Sequence, residues 1–117
     1  MNEDQDQPLG LEIEPSGQAA VVHIRGSVAA QEANQLRERL CDLATQKCSP
    51  IVLDVEGMHF IGSAGLSALV EAHLKTRHYK GQIRLLRPQP NIRRVFETMH
   101  LDRIFAFYTE RRQAIEA

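Results

Sequence analysis

The sequence carries almost no net charge, no long apolar run and only two cysteines, and each shortage removes a class of function. A formal charge of -1 over 117 residues creates no global field that would gather nucleic acid. The one local concentration of positive charge is Arg84, Arg87, Arg93 and Arg94. It is of a size common on soluble surfaces and reads as solvated arginines that flank a strand and open a helix, so no nucleic-acid partner is expected. No segment approaches the roughly 20 apolar residues that a membrane-spanning helix needs. Residues 1–8 are polar and acidic, without the charged-then-apolar pattern of a leader, which predicts a flexible tail on a cytoplasmic protein.

Cys41 and Cys48 lie seven apart, which matches no zinc spacing, and a reducing compartment would leave them unpaired. His23, His59, His73, His78 and His100 are scattered; the nearest two, five apart, do not share a helix face, so no metal site is expected. A Walker lysine, a paired-glycine dinucleotide loop and a Gly-x-Ser-x-Gly elbow are all missing. The expectation is a protein without cofactor or enzymatic activity.

What is present is an ordinary globular composition, 43% hydrophobic and 25% charged, of a length that supports one core. Residues 9–117 are read as a single domain. Leu9, Leu11 and Ile13 alternate with polar residues, Pro15-Ser16-Gly17 supplies a turn, and Val22 and Ile24 resume the alternation, predicting a strand pair that Gly26 ends. Ala33, Leu36, Leu40 and Leu43 recur at helical spacing. Ile51 to Val55 is a β-branched run suited to a central strand, and a loop is expected from Glu56 to Gly62. Leu66, Leu69, Val70, His73 and Leu74 then mark the inward face of a second helix, which Gly81 stops in a left-handed conformation.

Ile83 to Leu86 reads as a further strand, and strand–helix–strand implies a parallel crossover. Pro90 suits the first turn of a third helix carrying Ile92, Val95, Phe96 and Met99 on one face. Ile104 to Tyr108 predicts a short edge strand, and Thr109 is placed to cap a terminal helix. The fold class is α/β: a mixed sheet of four to five strands with helices packed on it.

The most informative segment is His59-Phe60-Ile61-Gly62-Ser63-Ala64-Gly65-Leu66, between the central strand and the second helix. Ser63 stands where its hydroxyl can cap the free N–H groups of the helix. Gly62 is expected to permit a positive backbone angle in the loop, and Gly65 to permit close packing on the sheet.

The run from Ile51 to Leu69, with Ser63-Ala64-Gly65-Leu66 at its turn, resembles the STAS domain of bacterial anti-sigma-factor antagonists. The resemblance extends from about Leu9 to Tyr108 and includes Gly26 and the segment from Pro90 to Leu101. It implies a protein that binds an anti-sigma factor with serine/threonine kinase activity while Ser63 is unphosphorylated, and releases it once that kinase has phosphorylated Ser63. A separate serine phosphatase would reverse the modification. Under this reading the dock comprises Met58, Phe60, Gly62, Ser63, Ala64, Ser67 and Glu71, with Lys75 nearby. Gly62 and the stretch Gly26-Ser27-Val28-Ala29 stand where the family often has acids. STAS domains also serve as accessory subunits of lipid-transport complexes, and a constitutive, phosphorylation-independent interaction module is the other alternative.

Overall fold

The computed structural model describes residues 8–117, so all but Pro8 of the expected acidic tail lies outside the described residues. Strands β1 (Gly10–Ser16) and β2 (Ala19–Val28) form an antiparallel hairpin, turned at Gly17 with φ +62°. Helix α1 (Ala30–Thr45) leads to β3 (Ile51–Asp54) and β4 (Met58–Ile61), and α2 (Ser63–Thr76) follows directly. Then come β5 (Ile83–Leu86), α3 (Pro90–Thr98), β6 (Ala106–Tyr108) and α4 (Arg111–Glu116).

These strands make one six-stranded sheet in the order β1-β2-β3-β5-β6, with β4 also paired to β2. The β2–β3, β3–β5 and β5–β6 pairings are parallel, as crossovers through helices require. Alternate residues of the central strands divide between two faces. Val22, Ile24, Leu53, Ile83 and Leu85 meet Leu36 and Leu40 of α1, Leu66 and Leu69 of α2, and Ile92 and Phe96 of α3. Each fully buried leucine there contributes about 1.5–3 kcal/mol. Val21, Val52 and Leu86 point the other way, onto Ala114 of α4.

Two differences from the sequence reading shape the site. Gly26 does not end β2: its φ of +88° accommodates a register shift, and Ser27 and Val28 go on to pair with Phe60 and Ile61. Their partner, β4, occupies the predicted loop, so the strands number six rather than four or five. Four residues are too few for periodicity to distinguish a strand from a loop.

Elsewhere the corrections are local. The left-handed residue after α2 is Lys80, φ +60°, rather than Gly81, whose missing side chain makes room for the Tyr79 ring. Glu110, not Thr109, precedes the last helix. Met99 lies just past α3 and is 58% exposed, so it does not share that helix's inward face. The arginine cluster is dispersed by its partners. Arg84 is buried, donating to the Ala114 carbonyl at 2.9 Å, Arg87 meets Asp54 at 3.4 Å, and Arg93 stacks 4.9 Å from the Phe107 ring centroid.

Candidate functional site

The site is built where β2 and β4 end side by side. The Gly62 N–H donates to the Val28 carbonyl at 2.9 Å, and the Leu66 N–H donates to the Gly62 carbonyl at 3.1 Å, so α2 starts immediately off the sheet. Gly62 is the N-cap, in extended conformation with φ -90° rather than the positive angle expected of it, and no side chain caps the helix. Ser63 is therefore the first helical residue, not the cap, because a cap must sit one residue earlier with its side chain reaching forward. Its hydroxyl is left exposed.

Gly65 holds this geometry. A Cβ at that position would stand 2.8 Å from Ile61 Cγ1 and 2.8 Å from Val28 Cγ1, so the first turn approaches the sheet this closely only without a side chain. No acidic side chain lies in that turn. The positive end of the helix dipole thus stands beside the exposed Ser63 hydroxyl with neither a capping side chain nor a carboxylate to offset it.

From Ser63 an apolar groove runs along the outer side of α2. Leu66, Ser67, Val70, Glu71 and Leu74 line it from the helix, Met99 and Leu101 close it from the corner after α3, and it encloses about 440 Å³. The eleven steps from Ser63 to Leu74 span about 16 Å of helix. Leu74 is 52% exposed, unusual for a leucine next to an equally exposed methionine.

Of the residues expected at a dock, Ser63, Ser67 and Glu71 come together on the groove wall. The Glu71 carboxylate also lies 3.5 Å from Arg37 Nε of α1. Ala64 is half-buried against the core, and the Phe60 ring lies under Gly62. Met58 is fully buried: it points into the core from β4 and offers no docking surface. Lys75 is exposed and does not line the groove.

Leu66, Val70, Leu74, Met99 and Leu101 are the groove residues that sequence reasoning missed. Periodicity assigned Val70 and Leu74 to the inward face, whereas the buried positions of α2 are Gly65, Leu66, Ala68, Leu69, Ala72 and Thr76. The available signal was that the apolar residues of this helix cover more than the arc one sheet face can bury, with the smallest of them turned inward. His73 also packs, its ring edge-on to Phe105 at 5.6 Å; burial, and then Arg77, lower its pKa.

A separate charged cluster occupies the opposite face of the sheet. His23 places Nε2 3.2 Å from Glu14 and Nδ1 3.2 Å from Asp54, while Arg111 of α4 engages both Glu14 carboxylate oxygens. The Arg111 guanidinium and then His23 hold the Glu14 pKa down to about 2. This cluster ties the first strand to the last helix. Among the described residues, no group of three or more His, Cys, Asp or Glu is arranged to hold a metal, and no helix is long and apolar enough to cross a membrane.

Comparison with known proteins places this geometry. The family model described as STAS domain matches residues 11–114. A Mycobacterium tuberculosis protein, named as a candidate anti-anti-sigma factor, is 25% identical over 107 residues, covering 90% of this chain and 72% of its own length. BtrV of Bordetella bronchiseptica, named as a candidate anti-sigma factor antagonist, is 29% identical over 94 residues, 80% of this chain and 81% of BtrV. Among solved structures, the anti-sigma factor antagonist SpoIIAA in its unphosphorylated form superposes with a TM-score of 0.77 at 21% identity, covering 89% of this chain and 92% of SpoIIAA. The phosphorylated form of the Bacillus protein superposes at 0.71, also at 21% identity, with 89% and 96% covered.

Proposed function

Because the chain belongs to the STAS-domain family, we propose that it is an anti-sigma-factor antagonist whose docking is switched by phosphorylation of Ser63. In the unphosphorylated state residues 9–117 act as one module in the cytoplasm and bind an anti-sigma factor that is also a serine kinase. The kinase transfers a phosphoryl group from ATP to the Ser63 hydroxyl and releases the product, and a serine phosphatase restores the starting state. The observation that carries this reading is the exposed, non-capping hydroxyl of Ser63 at the end of the apolar groove. Supporting it are the names of the two relatives and the existence of SpoIIAA in both phosphorylation states.

The physics of the switch follows from position. A phosphate at the first residue of α2 adds about -1.5 to -2 charges where the helix dipole and free N–H groups favour an anion, so the fold tolerates it. The same charge at the edge of an apolar interface must be desolvated for docking, which opposes association. A hundredfold loss of affinity needs about 2.8 kcal/mol, within reach of one buried, unpaired phosphate, and no conformational change is required.

The test uses the protein recovered from its native cells together with capture by the immobilised chain. Intact-mass and fragment analysis should show one phosphate on Ser63 that disappears in Ser63→Ala. Immobilised wild type and Ser63→Ala should retain a protein with a kinase ATP-binding domain that phosphorylates wild type only. A Ser63 that stays unmodified in the presence of that partner would remove the basis for the switch.

A further inference from the structure

The docking groove contains an oxidisable atom. Met99 is 58% exposed and lines the groove together with Ser63, Leu74 and Leu101. Met58, the other methionine among the described residues, is 0% exposed in the core. Oxidation of a thioether requires contact with the oxidant, so the fold itself makes one methionine reactive and shields the other. The two thiols, Cys41 and Cys48, are half-buried and belong to α1 and the segment after it, outside the groove lining.

We propose that Met99 is a second modification site of the dock, converted to its sulfoxide by a peroxide-class oxidant, and that this weakens docking as a phosphate on Ser63 does. The inference rests on the docking reading above, with the kinase partner as occupant of the groove, since the groove begins at the hydroxyl that this partner must reach. In the step, a lone pair of the Met99 sulfur attacks one peroxide oxygen. The S–O bond forms as the O–O bond breaks, and the departing hydroxide takes a proton to become water. Sulfur loses two electrons and peroxide gains them.

The product carries a strongly polar S–O group where an apolar side chain lay. Leu66, Val70, Leu74 and Leu101, which make up most of the remaining lining, cannot donate a hydrogen bond, and on this chain only the Ser63 and Ser67 hydroxyls could, so docking would bury a strongly polar acceptor in a mostly apolar groove. Because a docked partner covers Met99, oxidation proceeds in the free pool and bars return to the complex. A sulfoxide reductase reverses the change, giving the dock an oxidative input independent of ATP.

The experiment treats the full chain with graded hydrogen peroxide, maps oxygen addition by fragment mass, and measures binding to the kinase captured by Ser63→Ala. One oxygen should appear on Met99 well before any on Met58. Binding should fall about tenfold, equivalent to about 1.4 kcal/mol, and return after methionine sulfoxide reductase. The loss should persist in Cys41→Ser/Cys48→Ser, whereas Met99→Leu, compared with its own untreated form, should show no response. Equal oxidation of Met58 and Met99, or unchanged binding once Met99 is fully oxidised, overturns the inference alone. If the untreated protein binds no kinase, the docking reading fails and the inference falls with it.

Discussion

Replacing Gly65 by alanine isolates the contact that sets Ser63 in place. In an unconstrained helix the change would stabilise, by up to about 1 kcal/mol, because alanine forms helix better than glycine. Here the added Cβ would stand 2.8 Å from two methylene or methyl carbons, Ile61 Cγ1 and Val28 Cγ1, and 3.3 Å from Ile61 Cδ1. Carbon atoms prefer about 3.5–4.0 Å, so α2 or the sheet must give by over half an ångström. Neither neighbour yields readily: both are β-branched, both are buried, and they face each other on paired strands. Overpacking of this kind costs about 1–3 kcal/mol. With two buried contacts at 2.8 Å the upper part of that range applies, about 2–3 kcal/mol, so net of the helix gain Gly65→Ala should lose about 1–2 kcal/mol, or about 4–8 °C in Tm for a domain of this size.

Urea unfolding measures the change, with Gly62→Ala as the control. Gly62 has an ordinary φ of -90°, and its nearest neighbour would be 3.5 Å from the new Cβ; the loss of a better N-cap residue is offset by the reduced freedom of the unfolded chain, so that variant should stay within about 0.5 kcal/mol of wild type. A Gly65→Ala protein as stable as wild type would show that the close approach of α2 to the sheet is not a constraint.

Three further outcomes follow from the same geometry. Ser63→Ala should leave stability within about 0.5 kcal/mol of wild type, because Ser63 makes no capping bond; a loss near the roughly 1 kcal/mol of a removed cap would contradict its placement. Met58→Ala should cost about 2–5 kcal/mol in unfolding, while Leu74→Ala should cost under about 0.5 kcal/mol and weaken kinase capture; the reverse pattern would exchange their assignments to core and surface. Glu14 has its pKa lowered from 4.5 to about 2, so its contribution is complete above about pH 4.5 and is lost as pH falls towards 2. Unfolding measured across that window should therefore show a smaller acid-dependent loss in Glu14→Gln than in wild type, and parallel profiles would exclude the Arg111 contact as its source.

Wherever one face of an element is buried over several turns or residues, its place in the fold was legible. Ala33, Leu36, Leu40 and Leu43 named the inward face of α1, and Ile51 to Leu53 the centre of the sheet, because spacing and burial coincide there. Legibility failed where the element was short or where several faces competed. Met58 looked like a loop residue available for docking because four-residue β4 leaves no periodic trace, and its burial depends on pairing with the distant Gly26. Leu74 looked inward because its spacing permits it, yet α2 turns its smaller residues inward.

The sequence by itself determined the α/β class, the approximate order of strands and helices, and the serine at the head of a helix, since local periodicity, turn chemistry and a short motif carry these. Only the tertiary structure decided what surrounds that serine. The bulge at Gly26 aligns β4 with β2, Gly65 lets α2 settle on that pair, and the corner after α3 brings Met99 and Leu101 opposite Leu74 to close a groove. Each of these is a contact between segments far apart in the chain, formed by packing rather than by local preference, and so leaves no pattern in any one stretch of residues.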